Sequence, residues 1–144
     1  MSENKILQPT TIIIFGATGD LAKRKLFPAF FNLYLDGWMP KDFQIIALGR
    51  KDFSDDSFRE YIKNNLNEFS RNKVVSEEVW NDFKTHISFF NFRINEEASF
   101  EALNNKLIEI DNEHKERSNR LFYLSISPNF IETISKNIKQ FEMA

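Results

Sequence analysis

The sequence predicts an α/β fold, a doubly wound and mostly parallel sheet with helices on both faces. Three observations carry that expectation. Four short apolar runs are spaced along the chain, helical periodicity fills the intervals between them, and a glycine-bearing turn follows the first run directly.

Thr11 to Phe15 is an unbroken, β-branched apolar run, the pattern of a strand buried on both faces. Asp20 to Asp36 reads as a helix, with Leu21, Leu26, Ala29, Phe30, Leu33 and Tyr34 at three- and four-residue spacing. Pro28 falls inside it and predicts a kink, because proline cannot donate its backbone N–H. Gly37 ends that helix and Pro40 follows. Phe43 to Leu48 is a second buried strand, closing on Gly49-Arg50. Ser54 caps the next helix, whose apolar face is Phe58, Tyr61, Ile62, Leu66 and Phe69. A further helix is expected over Asn72 to Lys84, with Ser76 as a cap and Glu77 and Glu78 favourably placed in its first turn. Ile87 to Ile94 is the third strand. Phe100, Leu103, Leu107 and Ile110 mark a helix that gives way to the charged stretch Asp111 to Arg120, expected as a solvated turn. Leu121 to Ile126 is the fourth strand, and Pro128-Asn129 open a last helix running to Phe141.

Composition narrows the function classes. The chain has 144 residues, a length that fits one domain over 1–144, and its net charge of −2 supplies no basic field for nucleic acid or anionic lipid. There is no cysteine, which excludes disulfides and thiolate chemistry and fits a reducing, cytoplasmic setting. His86 and His114 are the two histidines, so a histidine-rich metal site is not expected. The longest apolar run is far too short to span a bilayer, and residues 1–10 carry no secretory apolar core.

In a doubly wound sheet, ligands bind beyond the carboxyl ends of the strands, so residues 16–21, 49–51, 92–95 and 125–128 are the places for a site. Gly16-Ala17-Thr18-Gly19-Asp20-Leu21-Ala22 follows a buried strand and opens a helix, the context a dinucleotide fingerprint needs. The spacing is Gly-x-x-Gly-x-x-Ala. One glycine permits the turn, the second lets backbone approach a pyrophosphate, and Ala22 lets the helix pack on the strand, while the helix N-terminus offers N–H groups and partial positive charge. Asp20 would repel a bound phosphate and is expected to cap the helix or face away. Gly49-Arg50-Lys51 places cations where an NAD-binding fold usually has Asp or Glu, and a guanidinium takes a 2′-phosphate through charge-assisted contacts, which points to NADP. Lys23-Arg24-Lys25 opposes the helix dipole and is either a solvated face or a second phosphate site. No general base is apparent: His86 lies at the far end of the third strand and His114 in the charged stretch.

The string IIIFGATGDLAKRKLFPAFFNL resembles the start of the glucose-6-phosphate dehydrogenases, including the proline within the helix. The similarity continues through IIALGR and NRLFYLSISPNF and covers essentially the whole chain. The resemblance implies a Rossmann-like NADP domain of an oligomeric oxidoreductase that converts glucose 6-phosphate to 6-phosphoglucono-δ-lactone in the pentose phosphate pathway. It implies that Gly16, Ala17, Thr18, Gly19, Asp20 and Leu21 wrap the pyrophosphate and that Arg50 holds the 2′-phosphate. It also implies that Arg93 lies on the adenine side, that Ser125, Ile126, Ser127 and Pro128 border the nicotinamide, and that Lys25 lies near the sugar phosphate. This chain departs from the family in Phe92-Arg93-Ile94, where an acidic residue is frequent, in Ser127 where a first proline is frequent, and in Ile131 where an aromatic is frequent. The family's catalytic histidine segment is absent, so no catalytic residue is assigned, and an isolated coenzyme domain, inactive alone, is expected. Two other readings remain at this point: a non-catalytic NADP-sensing regulator, and a short-chain dehydrogenase fragment, whose Tyr-x-x-x-Lys pair is missing here.

Overall fold

A computed structural model describes residues 8–70 and 76–144. Its sheet has four parallel strands in the order β3-β2-β1-β4: β1 (Thr10–Phe15), β2 (Phe43–Gly49), β3 (Ile87–Asn91) and β4 (Asn119–Leu124). The helices are α1 (Phe27–Leu35), α2 (Asp55–Phe69), α3 (Glu77–Lys84), α4 (Glu97–His114) and α5 (Ile131–Gln140). Successive side chains of a strand point to opposite faces, so the apolar run of β1 divides between two cores. Ile12 and Ile14 join Phe27, Phe31, Phe58 and Phe83 on the α1–α3 side. Ile13 and Phe15 join Phe100, Leu103 and Leu107 on the α4–α5 side. The expected doubly wound, two-faced architecture is therefore the one observed.

Several boundaries differ from the sequence reading, each for a physical reason. The first helix does not simply kink at Pro28. Residues Ala22–Leu26 form a π-helical turn ahead of α1, and the Phe27 N–H reaches the Ala22 carbonyl. The widened turn accommodates a proline that lacks the donor for an ordinary helical bond and whose ring crowds the carbonyl four residues back. Gly37 takes φ +75° and closes α1 with paired bonds, Gly37 N–H to Tyr34 and Trp38 N–H to Leu33. Ser54 and Ser57 form a reciprocal capping box at α2, and Ser76 caps α3. Residues 72–75 of the helix expected over Asn72 to Lys84 lie outside the described residues.

Strand β3 stops at Asn91 rather than Ile94, because Phe92 turns into the core between Phe15 and Phe100 at 5.4 and 4.9 Å. Strand β4 stops at Leu124 rather than Ile126. The largest correction concerns Asp111 to Arg120, of which only Lys115 to Arg117 form the exposed turn expected. Helix α4 continues through His114, Lys115 ends it in a left-handed conformation, and Arg120 lies inside β4. The Asp111 carboxylate accepts from the Ser118 N–H and hydroxyl at 2.9 and 3.0 Å and from Arg120 at 2.7 Å. The Arg120 side chain is 6% exposed and also donates to the Met143 carbonyl. The charges of this stretch are thus partly a largely buried pair in which Asp111 and both terminal nitrogens of Arg120 are hydrogen-bonded while the Arg120 Nε is not, an arrangement that residue type alone does not announce.

Candidate functional site

The chain runs from β1 outward to β2 and β3, then returns to place β4 on the other side of β1. The reversal leaves a crevice beyond the carboxyl ends of the strands, between β1 and β4. A cleft of about 450 Å³ opens there. Gly16, Thr18 and Gly19 line it from the turn after β1, and Arg50 and Lys51 from the end of β2. Arg93 and Glu96 line it from the loop after β3, and Ser125, Ile126 and Ser127 from the loop after β4.

Backbone contacts set the floor of the cleft. The amides of Gly16 and Ala17 both donate to the Leu48 carbonyl, and Ser125 N–H donates to Phe15. Gly16 has φ +81°, and a Cβ there would sit 2.1 Å from the Ser125 carbonyl oxygen, so this turn requires glycine on two counts. Gly19 serves differently. A Cβ on it would meet Gly16 O at 3.2 Å and Ser125 O at 4.0 Å, so its absence keeps that wall of the cleft at backbone height. The first bond of the helix runs from Lys23 N–H to Gly19, leaving the amides of Asp20, Leu21 and Ala22 in the unbonded first turn. Gly49 also differs from the sequence reading: it makes room for the Thr18 side chain, which a Cβ would approach at 3.0 Å, besides leading into Arg50.

Not every expected site residue lines this cleft. Ala17 is fully buried beneath the turn, and Leu21 is exposed on the helix. Asp20 turns to Arg24 at 2.9 Å, and that hydrogen bond is the main force holding its carboxyl below the ordinary range. Lys23 and Arg24 lie over the Phe69 ring at 5.8 and 4.6 Å, and Lys25 is exposed next to them. Pro128 opens the short 3-10 turn behind Ser127, whose hydroxyl accepts from Asn129 N–H. Both histidines lie outside the cleft lining. His86 stacks on Phe43 at 3.8 Å and bonds the Phe43 carbonyl, and His114 ends α4. Among the described residues no side chain pairs with the charged groups of Arg50, Lys51 or Arg93, and no acidic or histidine cluster could hold a metal.

The sequence reading missed two neighbours of the cleft. Glu96, which nothing marked as functional, lines it as the residue preceding α4. Asn91, the last residue of β3, bonds the segment that carries Arg50 and Lys51. The sequence carried little signal for either, since apolar Phe92 and Ile94 after Asn91 extend the strand pattern past its true end.

The family model for "Glucose-6-phosphate dehydrogenase, NAD binding domain" matches residues 13–144. The chain belongs to the glucose-6-phosphate dehydrogenase family. The matched part is the family's nicotinamide-dinucleotide-binding domain. Similar curated relatives, all named glucose-6-phosphate 1-dehydrogenase, include those of Bacillus subtilis and Leuconostoc mesenteroides, each 35% identical. They cover 89% and 90% of this chain and 25% and 26% of the relatives. That of Helicobacter pylori is 36% identical over 90% of this chain and 27% of the relative. The chain thus spans about a quarter of the length of these glucose-6-phosphate dehydrogenases. A solved glucose-6-phosphate dehydrogenase in complex with its substrate glucose 6-phosphate superposes with a TM-score of 0.83 at 30% identity, over 93% of this chain and 28% of that one. The Mycobacterium avium enzyme, at 19% identity and a TM-score of 0.80 over 96% of this chain and 28% of that one, shares the fold. Among the described residues no helix is long and apolar enough to cross a membrane.

Proposed function

We propose that residues 1–144 form the NADP-binding domain of a cytoplasmic, homo-oligomeric dehydrogenase that oxidises glucose 6-phosphate at C1 as the entry to the pentose phosphate pathway. The observation that carries the NADP reading is the pair Arg50-Lys51, which lines the cleft at the end of β2 with no side-chain partner among the described residues. An NAD site favours a carboxylate there, to accept from the ribose hydroxyls, whereas two free cations match a 2′-phosphate. The fit extends along the cleft. The low backbone wall at Gly19 and the unbonded first-turn amides suit a pyrophosphate, since they present partial positive charge with no side chain in the way.

NADP, when bound, supplies the acceptor for the hydride. In this reading the chain binds and orients. Gly16, Thr18 and Gly19, with the first-turn amides of Asp20 and Leu21, hold the pyrophosphate, Arg50 fixes the 2′-phosphate, Arg93 lies on the adenine side, and Ser125 to Ser127, backed by Pro128, bound the nicotinamide. Lys25, on the exposed side of the first helix, faces the substrate phosphate. No imidazole lines the cleft, so this chain alone binds NADP without turning over glucose 6-phosphate. A stand-alone NADP sensor finds no support in the relatives above, all of which are named as dehydrogenases.

Calorimetric titration of the two cofactors tests the proposal. Arg50→Ala is expected to weaken NADP binding by about 1.5–3 kcal/mol, the scale of a hydrogen bond to a charged group, and to leave NAD binding nearly unchanged. Equal losses for both cofactors would remove Arg50 from the 2′-phosphate. Reduction of NADP by the chain with glucose 6-phosphate would overturn the expected inactivity.

A further inference from the structure

Strand β2 and strand β3 end side by side, with Gly49 opposite Asn91 as the last register pair. Beyond that pair the main chain of β3 stays bound, since Phe92 N–H donates to the Gly49 carbonyl at 2.7 Å. Among the described residues no strand pairs with the segment after β2. Arg50, Lys51 and Asp52 are all exposed, and their conformation depends on what the neighbouring side chains offer.

Asn91 offers an amide. Its Nδ2 lies 3.2 Å from the Arg50 carbonyl, 3.3 Å from the Lys51 carbonyl and 2.8 Å from Asp52 Oδ1. All three neighbours are acceptors, so it is the amide nitrogen that faces them, and its two hydrogens are shared among them. Aspartate would fit the same space but would set a carboxylate against three acceptors. Leucine would fit and offer no donor. Only a neutral side chain with an NH₂ group of this length suits the position. The same contact draws the Asp52 carboxylate, two residues from Arg50, toward the end of β3.

We propose that Asn91 is a positioning residue for cofactor selection: it pins the backbone of the Arg50–Asp52 turn so that the Arg50 guanidinium is presented to the 2′-phosphate. The inference rests on the reading of Arg50 given above. Asn91 acts through the turn and needs no contact with the cofactor. Its loss therefore lowers the affinity gained from the 2′-phosphate and leaves the rest of the cofactor's binding alone.

The test is a two-residue cycle on the chain, with dissociation constants for NADP and NAD measured by titration calorimetry in wild type, Asn91→Leu, Arg50→Ala and the double variant. Asn91→Leu is expected to weaken NADP about two- to tenfold, the range for one net hydrogen bond, with NAD unchanged. In the Arg50→Ala background the same change is expected to add nothing, because the group being positioned is gone. A merely structural role would weaken both cofactors together, and that result overturns the proposal. So does undiminished NADP affinity in Asn91→Leu, or an Asn91→Leu loss that persists without Arg50. Should Asn91→Leu fail to fold, Asn91→Ser carries the same cycle with the same outcomes. If Arg50→Ala leaves the NADP to NAD ratio untouched, the reading of Arg50 falls and this inference falls with it. If Arg50→Ala abolishes the ratio while Asn91→Leu does not move it, only the inference falls.

Discussion

Gly16 is the residue least able to change. Any side chain there meets the Ser125 carbonyl in a backbone conformation that L-residues avoid. Gly16→Ala is expected to destabilise the chain by at least about 1–3 kcal/mol through strain alone, read as a drop in the denaturant midpoint, and to impair cofactor binding as β4 is pushed from β1. Wild-type stability in this variant would show that the turn can relax. Asp111 makes a second residue-scale case. Burial by itself would raise its carboxyl, but the Ser118 hydrogen bonds and the Arg120 charge outweigh that and hold the group below its ordinary value. Burial pulls the Arg120 cation down as well, an effect that Asp111 only partly offsets. With its folded value depressed, the carboxylate contributes stability above its unfolded pKa of about 4 and loses that contribution as pH falls through the folded value. Asp111→Asn is therefore expected to lower stability at pH 7 and to flatten the acid limb of a stability–pH curve. An unchanged acid limb would show that the pair contributes nothing. None of this was legible in the sequence, where Asp111 stands among Asn112, Glu113, Glu116 and Arg117 and looks like any solvated charge.

At the scale of elements, the sequence reading succeeded where local chemistry decides and failed where distant partners do. The cap of α2 needs only Ser54, and the close of α1 needs only Gly37, so both could be read directly, whereas the reciprocal bond from Ser57 appears only in the structure. Ser54→Ala is expected to cost about 1 kcal/mol in thermal or denaturant unfolding, and a cost near zero would show that the first turn is held from outside. Such outside help exists and was not foreseen. Asp55 of α2 accepts the Phe89 N–H of β3 at 2.8 Å, and Arg59 donates twice to the Ile87 carbonyl at 3.0 and 2.7 Å. One helix thereby satisfies polar groups of an edge strand that would otherwise offer a pairing template. The carboxyl ends of β3 and β4 were misjudged because Phe92, Ile94 and Ile126 are apolar. They pack into the core from loops, and apolar character alone does not distinguish a strand from a loop that folds inward.

At the scale of the whole molecule, the alternation of apolar runs with helical periods was enough to give the parallel sheet, and the rule of binding at strand carboxyl ends was enough to locate the cleft. Which turn residues face the cleft depends on the close approach of β4 to β1, a contact between segments far apart in sequence. The two sheet edges are unequal. Strand β3 is covered by α2, whereas among the described residues β4 pairs only with β1 and leaves Leu121 and Tyr123 45% and 36% exposed, Tyr123 packing edge-on against Phe30. An apolar face along an open edge is expected to drive concentration-dependent association of this chain. Light scattering should show a mass that rises with concentration and falls back in Tyr123→Lys, and a mass independent of concentration would count against it. The cleft exists only when the first and last strands are docked, so cofactor affinity is a measure of completed folding. NADP at a hundred times its dissociation constant should then raise the unfolding free energy by about 2.7 kcal/mol. A pulse of cofactor during refolding would report the moment when the two ends of the fold meet.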